Sequence, residues 1–279
     1  MKKLHFGPSV GYKSSLLKTV QSVDYLCFQM ELPSNYEISL NDKLATLEEC
    51  VKTNKRFYFH LCLTHNLATS NYVLTSSKYH PTNSYTINTI QKDIDNLVGL
   101  PSAAILHIGK STHGGSLETV IDNLSQLKLD YPRITDSVPK PLLLENAAGQ
   151  KNELGVGIDE IRKLFEKIDT HHIGLCIDTQ HSFASTLCDF GSPDSINNLF
   201  EELPVPINLI HLNDSKKIWG SRVDRHENLG HGYIFSSSER QYGLKYLFDI
   251  CLEKSIDLVL ETPQSKQNSD LESIKNWGY

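Results

Sequence analysis

Short apolar runs recur along the chain, and between them lie stretches whose apolar positions repeat every three or four residues. The runs predict strands over 4–10, 25–30, 56–61, 102–108, 141–145, 173–178, 207–212 and 257–261. The intervening stretches predict helices over 13–21, 40–53, 84–98, 116–128, 157–168, 193–201, 238–253 and 267–276. In the fifth of these, Ile158, Ile161, Leu164, Phe165 and Ile168 form one apolar stripe. The runs SAAILHI, PLLLEN and IGLCID are apolar on both faces, as expected of parallel strands packed inside and covered by helices outside. Strand and helix alternating eight times predict an α/β fold, a TIM (β/α)8 barrel forming one domain over 1–279. No low-complexity segment, long linker or repeat beyond this alternation interrupts it.

The polar residues that end the runs change the picture from fold to chemistry. His60 ends Phe57-Tyr58-Phe59, His107 ends Ala103-Ala104-Ile105-Leu106, and Glu145 ends Leu142-Leu143-Leu144. Asp178 ends Leu175-Cys176-Ile177, His211 ends Leu209-Ile210, and Glu261 ends Leu258-Val259-Leu260. In a barrel those ends converge on the C-terminal face, where active sites of this fold lie. Loops are expected to add His181 and the pair Asp224/His226. Imidazole and carboxylate together are the ligand set of catalytic zinc. A single His or Asp at a strand end is more often a structural hydrogen-bonding group. Six in phase are not, because burying several carboxylates without cations would cost several kcal/mol each. His5, His65, His80, His113, His171, His172 and His231 lack such placement, although His5, His113 and His231 could approach the site. Gly114-Gly115 reads as a turn, and Asp189 as a solvated loop residue.

The stretch from Ile207 to Gly232 is the richest. His211, Asp224 and His226 fall within sixteen residues, among Lys216, Lys217, Ser221, Arg222 and Arg225. Lys, Arg, Ser and glycine-loop amides suit a phosphodiester, so metal-assisted chemistry on a phosphate ester follows. A net charge of −6 first argues against nucleic acid, but three bound Zn²⁺ would cancel it. No apolar run is long enough to span a membrane, and MKKLHFGPSVGY lacks the apolar core of a signal peptide. An intracellular protein is expected, cytoplasmic with nuclear or viral-factory use left open. The six cysteines include no CxxC and read as reduced thiols, with one disulfide left open.

LLENAAGQ (143–150), CIDTQHSFA (176–184), HLNDSKKIWGSRVDRHENLGHG (211–232) and LETP (260–263) resemble the signature segments of endonuclease IV, the zinc-dependent apurinic/apyrimidinic (AP) endonuclease family. The resemblance runs from the third strand to the eighth. It implies three zinc ions: one on His60, His107 and Glu145, a second on Glu145, Asp178, His211 and Glu261, and a third on His181, Asp224 and His226. It also implies hydrolysis of the phosphodiester 5′ to abasic sites in double-stranded DNA by a hydroxide held between metals. Glu145 would bridge and Glu261 orient the hydroxide, making these two the catalytic carboxylates. The products would be a 3′-hydroxyl and a 5′-deoxyribose phosphate, with trimming of blocked 3′ ends at the same site. A monomer is expected.

The chain also departs from the family. His107-Ile108-Gly109-Lys110 replaces the usual His-Pro-Gly-Ser, offering Lys110 to a phosphate. Leu63 stands where a DNA-inserting tyrosine is usual, and MELPSNYE (30–37) has no wedging arginine, leaving Met30, Leu32, Asn35 and Tyr36. Leu63, Lys110, Lys216, Ser221, Arg222 and Arg225 are therefore the candidate DNA contacts. Two rivals remain: a metal-dependent sugar isomerase of the xylose-isomerase type, and a non-catalytic DNA-lesion-binding module. The Asp224/His226 pair argues against the first and the complete ligand set against the second.

Overall fold

Strand alternation decides which side chains enter the barrel, and hence what the site is made of. A computed structural model describes residues 3–31, 36–62, 65–69, 83–112, 114–131, 138 and 140–279. Its strands are β1 (Phe6–Gly11), β2 (Cys27–Glu31), β3 (Arg56–His60), β4 (Ser102–His107), β5 (Leu142–Glu145), β6 (Ile173–Asp178), β7 (Ile207–Leu212), β8 (Asp214–Ser215), β9 (His226–Glu227) and β10 (Asp257–Leu260). All but β8 and β9 close into a barrel in the order β1-β10-β7-β6-β5-β4-β3-β2, each neighbour parallel. The helices among the described residues are α1 (Leu16–Gln21), α2 (Leu40–Thr53), α3 (Asn83–Asp95), α4 (Leu117–Leu124), α5 (Ile158–Phe165), α6 (Thr179–Ser185), α7 (Pro193–Glu202), α8 (Ser238–Lys254) and α9 (Gln264–Asn276). Ser15, Ser39, Ser116, Ser192 and Ser237 start α1, α2, α4, α7 and α8, each accepting a backbone N–H with its hydroxyl.

The barrel interior is tiered. Phe57, Phe59, Ala104, Leu106, Leu142, Leu144, Leu175, Ile177, Ile210, Leu258 and Leu260 join the outer core beneath the helices. Their alternates Cys27, Tyr58, Ala103, Ile105, Leu143, Cys176, Leu209 and Val259 form a separate buried cluster inside. Two residues further along each strand the same parity delivers Gln29, His60, His107, Glu145, Asp178, His211 and Glu261. Two residues back it delivers Arg56 and Asp257, which close the opposite end. There Arg56 forks onto the Asp257 carboxylate and touches His5 Nδ1, while Tyr58 donates to Asp257 at 2.7 Å. His5 thus lies at the end away from the strand C-termini.

Several loop expectations are corrected. The segment around His181 is helical: Asp178 caps α6 by accepting the His181 N–H at 2.8 Å, and all seven α6 side chains are buried, so no amphipathic period announces it. The long loop after β7 contains the antiparallel β8–β9 ladder. Asp189 is half-buried and ion-paired rather than free in solvent, its oxygens taking Arg240 at 2.5 and 3.1 Å. Met30 is fully buried in the outer core and cannot serve as a wedge, and Tyr36 packs on Tyr12 with centroids 4.9 Å apart. Leu32, Asn35, Leu63, His80 and His113 lie outside the described residues. Cys27, Cys50, Cys176, Cys188 and Cys251 are buried thiols, none in a disulfide.

Burial would raise the Asp257 pKa, but its bonds from Arg56, His5 and Tyr58 lower it below the ordinary value. A carboxylate depressed in the folded state stabilises above its unfolded pKa of about 3.9 and loses that contribution as pH falls through the folded value. Asp257→Asn leaves the Arg56 charge buried and uncompensated, and is expected to destabilise by about 3–5 kcal/mol at neutral pH. Urea unfolding at pH 7 and again near pH 3 checks this: the gap between variant and wild type should narrow on acidification.

Candidate metal centre

The ligand-type residues at the strand ends meet in space. Glu145, the last residue of β5, is 1% exposed, so its charge must be met by neighbours. Its Oε2 faces His60 Nε2 at 3.2 Å and His107 Nε2 at 3.6 Å. Its Oε1 faces His211 Nδ1 at 3.0 Å and His181 Nδ1 at 3.3 Å. The two oxygens therefore belong to two different groups. Glu261, just past β10, lies 3.2 Å from His211 Nδ1. Asp178 is fully buried, with Oδ2 3.7 Å from His226 Nε2. Asp224 bridges two rings, at 3.5 Å from His181 Nε2 and 3.3 Å from His226 Nε2.

Three sets offer ligand atoms within 4.8 Å of one another: His60, His107 and Glu145; Glu145, Asp178, His211 and Glu261; and Asp178, His181 and His226. The first two are the sets expected from the sequence. In the third, Asp178 takes the place given to Asp224, which instead lies against both histidines.

Surrounding groups fix how the rings face. His60 Nδ1 is 2.9 Å from Leu61 O, His181 Nδ1 is 3.0 Å from Asn146 O, and His226 Nδ1 is 3.3 Å from Glu261 O. A backbone carbonyl can only accept, so Nδ1 carries the proton and Nε2 is left with its lone pair. His211 is turned the other way: Nε2 meets Gln29 Oε1 at 2.7 Å, leaving Nδ1 for the carboxylates. Gln29 also donates to Glu261 at 2.5 Å, and Asn213 donates to Asp178 Oδ2 at 2.6 Å. The sequence reading missed Gln29, Asn146 and Asn213 as orienting groups. Gln29 was detectable, since it shares the inward parity of Cys27 on β2.

The donor set fits metal ions. His226 Nε2 is buried without a hydrogen-bond partner, yet it faces two carboxylates, an arrangement that a shared cation completes. The electrostatics agree. Burial opposes charge on His60, but Glu145 beside it raises its pKa to about 9, and His181 and His211 are likewise raised against burial by the carboxylates. His107 is lowered by burial. Glu145 resists burial and is held well below the usual range by His107, His211 and His181. Asp224 is drawn down to about 2 against burial by His181, whereas burial raises Asp178. Most of these shifts couple a carboxylate to an imidazole beside it, while burial alone dominates at His107 and Asp178.

Two cavities open on this cluster. One of about 250 Å³ reaches His60, His107, Glu145, His226 and Glu261. Beside it, one of about 380 Å³ is bordered by Asn66, His107, Lys110, Glu153, His181 and Asp224. Lys110 pairs with Glu153 at 3.2 Å, and Lys216 with Glu227 at 3.6 Å. The Ser221 hydroxyl is buried and unpartnered. Arg222 and Arg225 are exposed, and the Arg222 stem runs past Gly149, where an added Cβ would lie 3.5 Å from it. His231 is exposed and belongs to none of the three ligand sets.

The β8–β9 ladder carries His226 into this cluster. Asp214 accepts backbone N–H groups from Ser215, Gly230, Gly232 and Ile234 at 2.7–3.0 Å. Gly232 leaves room for this, because a Cβ there would fall 2.4 Å from Ser215 O and 2.5 Å from Asp214 Oδ1.

The family model described as xylose isomerase-like TIM barrel matches residues 21–240. A probable endonuclease 4 of Carboxydothermus hydrogenoformans is 31% identical over 176 residues, 61% of this chain and 59% of that protein. Apurinic-apyrimidinic endonuclease 1 of Plasmodium berghei is 34% identical over 162 residues, 56% of this chain and 30% of that protein. The chain thus spans less than two thirds of the length of these relatives. The crystal structure of endonuclease IV from Thermus thermophilus superposes with a TM-score of 0.76 at 20% identity, covering 98% of both chains. The chain belongs to the xylose isomerase-like TIM barrel family, and within it resembles the endonuclease IV proteins.

Proposed function

We propose that this protein hydrolyses the DNA phosphodiester 5′ to abasic sites, leaving a 3′-hydroxyl and a 5′-deoxyribose phosphate, and trims blocked 3′ ends at the same site. The observation that carries this reading is Glu145, whose two oxygens face two separate histidine groups beside a third group on α6 and β9. Relatives named endonuclease 4 and apurinic-apyrimidinic endonuclease support it. Three Zn²⁺ are the cofactors that suit the donors: one held by His60, His107 and Glu145, one by Glu145, Asp178, His211 and Glu261, and one by His181, Asp224 and His226 with Asp178 beside them. Bound there, the ions supply Lewis acidity toward phosphoryl oxygens and lower the pKa of a water to near neutral.

The chain's own residues do the rest. Glu145 and Glu261 both present negative charge to His211 Nδ1 and suit the orienting of an attacking water there. Gln29 holds both His211 and Glu261, so it positions that pair without touching substrate. Arg222 and Arg225 lie exposed on the site loop and suit the flanking phosphates, as does Lys110 once it leaves Glu153, and Lys216 once it leaves Glu227, whereas the Ser221 hydroxyl is buried. The nine ligand residues come from one chain, so a monomer suffices. A sugar isomerase on the same barrel is the rival reading, and it does not require the third set around His181 and His226.

Elemental analysis of the purified protein should give about three zinc per chain under the three-set reading, and one ion or none would overturn it. Glu145→Gln and Glu261→Gln, nearly isosteric, should keep the thermal transition yet slow cleavage of an abasic oligonucleotide by at least about 100-fold. Wild-type cleavage by either would remove that carboxylate from the mechanism. No cleavage by the zinc-loaded wild type would remove the AP-endonuclease reading itself. Gln29→Leu should weaken zinc retention by roughly 10–100-fold in competition with a chromophoric chelator. Unchanged retention would reduce Gln29 to packing.

A further inference from the structure

The turn between β8 and β9 presents an apolar tip that the ligand chemistry does not use. Ile218 is 61% and Trp219 44% exposed, side by side on the barrel face that carries the strand C-termini. Large apolar side chains held in water at a loop tip mark a contact surface. The turn is braced by three backbone bonds: Gly220 N–H donates to Phe183 O at 3.2 Å, Arg222 N–H to Ala184 O at 3.0 Å, and Ser221 N–H to Ile218 O at 3.2 Å. The Trp219 ring stands edge-on to Phe183, centroids 5.2 Å apart. Phe183 and Ala184 lie on α6, the helix that carries His181, so the tip is fastened to the metal-binding framework.

Charge selects the partner. Lys217, Arg222 and Arg225 flank the tip, all exposed and none with a carboxylate partner among the described residues. In a chain of net charge −6, this concentrates unpaired positive charge around an aromatic and an aliphatic side chain. Cations interleaved with an aromatic ring are the chemistry that grips phosphates and stacks on bases.

We propose that Ile218 and Trp219 are the wedge by which this protein engages duplex DNA at an abasic gap, resting on the DNA reading above. An abasic site leaves a void in the stack, and an apolar side chain that fills it offsets the cost of turning the nucleotide out. Ile218 and Trp219 fill that void or stack on its rim, while Lys217, Arg222 and Arg225 hold the phosphates on either side. The role goes to a preformed tip fastened to α6, in a chain whose Met30 is buried in the core.

Trp219 reports on itself. The chain has two tryptophans, so Trp277→Phe leaves Trp219 as the sole indole. Zinc-loaded W277F is titrated with labelled duplex carrying a tetrahydrofuran abasic analogue whose 5′ linkage is a non-hydrolysable methylphosphonate. Intact duplex and single strand serve as controls, with binding followed by label anisotropy. The expected result is quenching of Trp219 and lower acrylamide accessibility, both larger on abasic than on intact duplex. Ile218→Ser, at an exposed position, should raise Kd for abasic duplex about tenfold with a smaller effect on single strand. Bound duplex with unchanged Trp219 emission and accessibility overturns the wedge while leaving the DNA reading standing. Absence of binding to any DNA overturns both. Should W277F fail to fold, Ile218→Ser decides alone: an unchanged Kd on abasic duplex overturns the proposal.

Discussion

Two carboxylates buried at the ends of parallel strands are the constraint that the rest of the molecule answers to. Glu145 and Asp178 are almost wholly removed from water, and an unpaired charge so placed costs several kcal/mol even after relaxation. Among the described residues, neither is paired with a lysine or arginine that could neutralise it permanently. Imidazoles surround them instead, each turned so that a ring nitrogen faces a carboxylate oxygen. Such a ring can carry a proton or lend its lone pair to a cation, so charge compensation here is exchangeable. A fixed ion pair would have met the same cost and left nothing for chemistry. The barrel shows that alternative at its other end, where Arg56 and Asp257 form a closed pair reinforced by Tyr58.

One parity rule thereby builds two different devices. Along β3, positions 56, 58 and 60 give a fixed cation, an aromatic plug and an exchangeable ligand. Along β10 and one residue past it, positions 257, 259 and 261 give a fixed anion, an apolar plug and an exchangeable carboxylate. The apolar tier of Ile105, Leu143, Cys176, Leu209 and Val259 keeps the two ends apart.

Much of this was legible in the sequence because parallel strands report themselves twice: as apolar runs, and as the polar residue that ends each run. The strands appear within a residue or two of where the runs placed them, and the ligand residues they deliver stand together. What escaped had no periodic signal. Helix α6 is short and buried on every side, so its polar sequence Thr179–Ser185 resembles a loop until Asp178 caps it. The β8–β9 ladder is held by Asp214 gathering backbone amides from residues up to twenty positions away, which no local pattern encodes. Asp189 finds Arg240 across a separation of 51 residues. Gln29 was hidden by chemistry, since a neutral amide among ligand-type residues draws no notice until its partners His211 and Glu261 are seen.

The ligands also divide by what holds them. His60, His107, Glu145, Asp178 and His211 sit in barrel strands, where parallel pairing on both sides fixes the backbone. Glu261 follows β10 directly, and His181 is fixed by the cap that Asp178 gives α6. Asp224 and His226 depend on a loop held by Asp214, buried beneath four backbone N–H groups, together with the β8–β9 ladder and the bonds to α6. Burial raises the Asp214 pKa, and the four backbone bonds oppose that rise. Asp178 belongs to the strand-held set and to the set on α6 and β9. The strand-held ligands are thus placed by the barrel itself, whereas Asp224 and His226 are placed by the loop that carries β9. The apolar tip at Ile218 and Trp219 rides on that same loop, so whatever binds the tip also bears on Asp224 and His226.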